Sequence, residues 1–345
     1  MLVFSSTFLI FFAPVWGQGH GLIASLQQFS DLSIFNGYVR NSSKLTSFFT
    51  SANNITLFVP SDSAFKEWNL LQDIALSSHN SSISDQIEAL LTYHIVNGTF
   101  STKGFSDRPR FASTLISNSI FTNVTGGQRV ELVMNGANPV IGSYNRTTSG
   151  ISTSDAIFAG GLIHIIDKVL TLPGDAVQLI AQQAFGYFVS ILTAGNYISQ
   201  EFVADVRNAI FTPNTTIFAP NTQQALDDFK TLSSGSSHEQ LAAILNYHII
   251  PGSTIYSPEF KHSMTLHTAQ GMNATMTFQG NTTYINGAKI IGLDYLTANG
   301  VLHMFAVCST PSTSRAHQPL RVPIRLPPRG LLHRMQCQSL AGVKI

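Results

Sequence analysis

The feature that most constrains this chain is a buried-strand motif that occurs twice. Gly160-Gly161-Leu162-Ile163-His164-Ile165-Ile166-Asp167-Lys168-Val169-Leu170-Thr171-Leu172-Pro173 is a glycine turn feeding a nearly unbroken apolar run with one histidine inside, stopped by a proline. A half-solvated strand alternates apolar with polar residues, so this run predicts a strand covered on both faces. The second copy opens as Asn299-Gly300-Val301-Leu302-His303 and breaks off after Met304-Phe305-Ala306-Val307-Cys308. Two copies in 345 residues predict two domains. The early break predicts that the last strand of the second domain is truncated.

Two further blocks recur in the same order. Thr56-Leu57-Phe58-Val59-Pro60-Ser61-Asp62 and Thr216-Ile217-Phe218-Ala219-Pro220-Asn221-Thr222 each read as a strand stopped by proline, followed by a side-chain oxygen that can cap a helix. In the helix predicted over Ile83–Ile95, Ile83, Ile87, Leu90 and Leu91 share a face, and His94 extends it. Leu241, Ile244, Leu245 and His248 repeat the pattern. Both helices end in Tyr-His, as Tyr93-His94 and Tyr247-His248. Strand-rich segments with Asn-Gly turns then lead to the opening motif, which predicts hairpins in a meander. The copies lie 160 residues apart at Pro60 and Pro220, 154 at His94 and His248, and 139 at His164 and His303. Shrinking offsets with unchanged order mean a tandem duplication whose second copy has shorter loops.

The ends of the chain read differently. Residues 2–16 are an apolar block too short to span a bilayer, and predict a secretory signal peptide over residues 1–17. Domains are then expected over 18–173 and 174–308. Residues 309–345 hold five arginines, one lysine, five prolines and no acidic residue, which suits a disordered basic tail. A misread splice junction or frameshift after about Met304 explains both the short strand and the tail; a basic arm for anionic surfaces is the alternative. Without those six cations, 13 basic residues face 18 acidic ones, a net −5, and carry no nucleic-acid footprint. Cys308 and Cys337 leave neither domain an internal disulfide.

Asn41, Asn54, Asn80, Asn97, Asn123, Asn145, Asn214, Asn273 and Asn281 each stand in Asn-x-Ser/Thr. Beside a signal peptide, they predict an N-glycosylated secreted protein. No other apolar run is long enough to cross a membrane.

The ordered blocks Thr56–Phe65, Tyr93-His94 and Gly161–Pro173, with Asn299–His303 in the second copy, resemble the end motifs and the central Tyr-His motif of fasciclin-like domains. The likeness covers residues 20–173 and 176–305 and is similar to tandem, secreted or surface proteins of fungal type. It implies an α+β fold of two tandem domains, each a β-sandwich-like wedge with a helical layer. It also implies a role in adhesion or matrix organisation without a catalytic site. The implied partner is a cell-surface or matrix protein or a glycan, with the cell wall or the vacuole as destinations.

His94, His164, His248 and His303 are the reactive groups the copies share, and we read them as structural. Each lies in an apolar element where a neutral imidazole satisfies backbone groups, and none has a His or Glu partner at metal spacing. Pro60, Pro220, Tyr93, Tyr247 and Asp167 complete the structural motif. No G-x-S-x-G, H-E-x-x-H, phosphate-cradling loop or C-x-x-C occurs, so no cofactor, metal or catalytic residue is expected. A secreted carbohydrate- or lipid-binding protein is the second function class. Only Trp68 would remain as an indole platform for sugar once a signal peptide is removed.

Overall fold

The computed structural model describes residues 20–68, 82–182, 185–194 and 210–306. The segment expected to be a signal peptide, Asn80, both cysteines and residues 309–345 lie outside the described residues.

The first half opens with three short helices, α1 (Leu22–Leu26), α2 (Ser33–Asn41) and α3 (Ser43–Ser51). Strand β1 (Ile55–Pro60), helix α4 (Asp62–Glu67) and helix α5 (Ile83–Tyr93) follow. The remaining strands are β2 (Ile95–Asn97), β3 (Arg110–Ser113), β4 (Arg129–Asn135), β5 (Asn138–Gly142), β6 (Thr148–Phe158) and β7 (Gly161–Ile166). They form one sheet in the order β2-β1-β7-β6-β5-β4-β3. Only β1 and β7 run parallel; every other neighbour is antiparallel.

The second half repeats the plan. Helices α6 (Ala176–Gln182) and α7 (Gly186–Ala194) precede β8 (Thr215–Pro220). Helices α8 (Gln223–Ser233) and α9 (His238–Asn246) precede β9 (Ile249–Ile250), β10 (Thr265–His267), β11 (Asn273–Gln279), β12 (Thr282–Ile285), β13 (Ala288–Thr297) and β14 (Gly300–Phe305). The sheet order is β10-β11-β12-β13-β14-β8-β9, the first sheet read from the other edge.

Period-two alternation explains why the central strands have no polar face. Leu57, Val59, Ile163 and Ile165 pack under α1–α3 with Leu26, Phe35 and Leu45, while Phe58 and Ile166 turn to a second core with Tyr93, Val130 and Ile141. Gly161 is forced by close approach: at φ 149°, a Cβ there would fall against the carbonyl oxygen of Ile55. The caps form as the residue types dictate. Ser61 and Thr222 accept the amides of Ala64 and Ala225, and Ser82 and Ser237 build capping boxes with Asp85 and Gln240.

Several expectations need correction. The last strand of the second domain is not truncated. Gly300–Phe305 pairs along the whole of Thr215–Pro220, residue for residue as Gly161–Ile166 pairs along Ile55–Pro60. The apolar run in the first copy outlasts its strand, because the residues after Ile166 leave the sheet, Val169 for the first core and Leu170 for the second. Pro60 and Pro220 sit inside the parallel pairing rather than after it, opposite Ile166 and Phe305. Helix α5 stops at Tyr93, two residues early, and Ile83 is 62% exposed because it occupies the first turn, beyond the reach of the core.

Candidate functional site

The four histidines are backbone latches. His94 is 1% exposed at the end of α5. Its Nδ1 donates to Leu90 O at 2.8 Å, and its Nε2 accepts the amide of Leu170 at 2.9 Å. Burial pushes its pKa down to about 4, against a partial rise from the Leu90 carbonyl. His164 uses the opposite tautomer: Nδ1 accepts the amide of Asp155 at 3.1 Å and Nε2 donates to Phe100 O at 2.8 Å. His303 repeats this with Asp294 at 3.2 Å and Ile255 at 2.9 Å. His248 donates through Nδ1 to Ile244 O at 2.7 Å. Phe58 stacks on His164 and Phe218 on His303.

The residues that receive these latches carry a signal that sequence reading missed. Asp155 and Asp294 stand at φ 58° and 59°, each inside an irregular stretch of the long strand β6 or β13. Asp155 accepts both the amide and the hydroxyl of Thr102, and Asp294 accepts the amide of Ser257 at 2.8 Å. Burial raises the pKa of Asp155, but its hydrogen bonds outweigh that and leave it lowered. A lone aspartate in a strand pattern looks like a solvent-facing residue. Its spacing, nine before the histidine in both copies, is the signal that could have found it.

Tyr93 and Tyr247 tie the helix ends to the starts of β4 and β11, their hydroxyls donating to the carbonyls of Arg129 and Asn273. Asp167 is exposed and accepts the amide of Gly150 at 2.7 Å. Thus these histidines, tyrosines and Asp167 each bond partners within their own domain.

What does converge is a seam between the domains. Phe111 stacks on Tyr256 with centroids 4.5 Å apart, and the Arg129 guanidinium lies 4.5 Å over the same tyrosine ring. Arg129 also pairs with Glu259 at 2.7 Å. Buried Gln128 donates to Thr297 O and, at 2.9 Å, to Gly300 O, and accepts the hydroxyl of Tyr256. The amide of Asn123 and the hydroxyl of Thr122 both reach Ala298 O. Arg146 donates to Leu293 O at 2.7 Å and lies over Tyr295. Nearby Glu131 has its pKa raised by burial, with Arg146 opposing and Asp294 reinforcing the shift.

The seam is built from what the second copy lacks. Thr114 bonds Gln128 O and Thr268 bonds Met272 O in the same way, so these positions correspond. Between them the first copy has residues 115–127 and the second only 269–271. Ile141 pairs with Ser149 and Ile285 with Ala288, so residues 143–147 are a second extra loop. Both extra loops touch the second domain, the first through Thr122, Asn123 and Thr125, the second through Arg146 and through Tyr144, which is buried in the second domain's core.

The sequons divide by environment. Asn41, Asn54, Asn97, Asn123, Asn273 and Asn281 are exposed, whereas Asn145 and Asn214 are half-buried. Asn54, Asn145 and Asn214 take φ values of 53°, 64° and 57°, a conformation in which asparagine is enriched. In both copies the threonine completing the sequon before β1 or β8 is buried. Thr56 donates to Gly98 O and accepts the amide of Phe100; Thr216 does the same with Ser253 and Ile255. Among the described residues no group of three or more His, Cys, Asp or Glu could hold a metal ion, and no helix is long and apolar enough to cross a membrane.

Two tandem α+β domains, each with a mixed sheet closed by a Tyr-His helix end and a histidine-bearing strand, define the class. A family model described as the Fasciclin domain matches residues 30–173 and 187–307. The chain belongs to the fasciclin-domain family. It is 27% identical over 292 residues to a fasciclin-like arabinogalactan protein of Arthroderma benhamiae, covering 84% of this chain and 66% of that protein. It is 25% identical over 296 residues to the fasciclin-like arabinogalactan protein elcF of Phaeosphaeria nodorum, covering 84% and 88%. Mouse stabilin-2 matches at 24% identity over 82% of this chain and 10% of its own length. The chain therefore spans just under two thirds of the first of these relatives. A FAS1 domain pair from the insect cell adhesion molecule fasciclin I overlaps 80% of this chain and 95% of its own, at 15% identity and a TM-score of 0.36. None of these relatives supports a vacuolar destination.

Proposed function

We propose that this chain is a non-catalytic, secreted or cell-surface adhesion or matrix-interaction protein whose two fasciclin domains work as one rigid pair. The observation that carries this reading is the use made of the shared histidines. Three of the four spend both ring nitrogens on backbone groups, His94 on Leu90 and Leu170, His164 on Asp155 and Phe100, and His303 on Asp294 and Ile255. Such a ring offers no free nitrogen to a substrate. The motif shared by the two copies thus goes into holding each domain in shape, which leaves recognition to the surface. Names of relatives in the arabinogalactan class support an extracellular role. The exposed sequons support passage through a glycosylating compartment. The partner is a cell-surface or matrix protein or a glycan.

The test is a surface coated with purified full-length protein, scored for cell or wall-fragment attachment and probed in parallel on a glycan array. Saturable attachment that a soluble excess of the same protein competes away supports the reading. Turnover of a substrate that survives purification and disappears with one point substitution would falsify it.

A further inference from the structure

The triplet Asn214-Thr215-Thr216 meets the rule for N-glycosylation, yet its asparagine is committed elsewhere. Asn214 Oδ1 accepts the amide of Thr125 at 2.7 Å, and Asn214 Nδ2 donates to Thr125 Oγ1 at 2.8 Å. Thr125 belongs to the extra loop 115–127 of the first domain and is itself the hydroxyl residue of the sequon at Asn123. A single residue that bonds both ends of a carboxamide must sit on the edge where the oxygen and its neighbouring N–H point the same way. A sugar joined to Nδ2 takes the place of that same hydrogen, because a substituted amide holds its substituent trans to the carbon chain, as a peptide group does. Thr125 and a glycan therefore compete for one edge of Asn214.

We propose that Asn214 is an interdomain clasp that stays unmodified in the closed pair, and that carbohydrate on Asn214 holds the seam open. The equivalent residue of the first domain supplies the contrast. Asn54 has the same left-handed turn, at φ 53°, and the same buried threonine two residues on, but its Oδ1 takes the hydroxyl of Thr99 within its own domain. Both triplets thus arise from a turn asparagine followed by a threonine that ties down a loop, and only Asn214 reaches across the seam. The same loop places the amide of Asn123 on Ala298 O at 2.8 Å, so loss of the clasp frees a second cross-domain bond. The carbohydrate half of this proposal rests on the secreted reading above; the clasp half does not.

Two measurements on the full chain test it. Glycopeptide mapping of protein from a glycosylating host should find Asn214 bare in molecules whose Asn273 or Asn281 is occupied. Hydrogen exchange on unglycosylated protein from a bacterial host should show the Thr125 and Asn123 amides exchanging about tenfold faster in Asn214→Gly than in the parent, with β1 and β7 unchanged. Glycine keeps the left-handed turn, so the substitution removes the clasp and not the backbone. A glycan on Asn214 in molecules whose Thr125 amide remains protected would overturn the proposal, as would parental exchange in Asn214→Gly. If every sequon is bare, secretion fails as a reading and the exchange measurement still decides the clasp.

Discussion

Phe111 of the first domain and Tyr256 of the second stack with their planes 20° apart, and Arg129 lies over the same Tyr256 ring. The tyrosine is fully buried, so the domains share a small apolar centre with Leu296 and Val301. Buried aromatic pairs contribute about 1 kcal/mol beyond their area. Phe111→Ala should lower the melting temperature of the second domain and split a single calorimetric transition into two. One unchanged transition would mean that the domains melt together for some other reason.

His94 and His248 occupy equivalent places with unequal protection. His94→Ala strands the Leu170 amide inside the core, while the Leu90 carbonyl keeps the backbone amide of residue 94, at about 2–4 kcal/mol once the cavity is included. His248 is only half-buried, so His248→Ala should cost its domain less. Chemical denaturation followed domain by domain checks the order. A larger loss for His248→Ala, or lost cell attachment without lost stability, would remove the structural reading of the motif.

Acid should unfold the protein before its carboxylates titrate. Burial depresses the pKa of His94 to about 4, and those of His164, His248 and His303 in the same direction. An unfolded histidine titrates near 6.5. Below that value the unfolded chain takes up protons the folded chain refuses, so stability is complete above about pH 6.5 and is lost as the pH falls toward 4. His94 alone accounts for on the order of 3 kcal/mol of that loss. Denaturant midpoints measured from pH 7.5 to pH 4 should fall steadily, and the fall should shrink in His94→Gln. A flat profile would contradict the neutral tautomers assigned to the latches.

Asp155 should tolerate asparagine and reject valine. At φ 58° a β-branched side chain is strained by about 1–3 kcal/mol, while asparagine takes that conformation readily and keeps an oxygen for the Thr102 amide. Thermal melts of Asp155→Asn and Asp155→Val separate backbone geometry from charge. Equal losses would place the effect in the charge.

Much of each domain was legible because the physics is local. A strand-forming run that closes on proline, a cap oxygen and an apolar helix face ending in Tyr-His act within a few residues of themselves. What escaped is what spans distance. The apolar run Ile165–Leu170 leaves the sheet at Asp167 and divides between the two cores, and hydropathy does not record the turn. Asp155 and Asp294 look polar and outward in a strand, because the left-handed bulge that turns them inward has no one-residue signature. The seam was visible only as a length difference. The offsets fall from 154 to 139 between the paired histidines, and the residues that make up the difference include Thr125 and Arg146, but spacing alone does not say what they touch.

The parallel pairing of β1 with β7, and of β8 with β14, sets how each domain carries load. Tension that enters at Ile55 and leaves past Ile166 pulls two parallel neighbours toward opposite ends, so the six residue pairs between them resist together in shear instead of opening one after another. The helices before β1 lie outside that braced pair and peel away first. Under traction between two anchored surfaces, the domain lengthens by paying out α1–α3 while its histidine-latched centre stays shut.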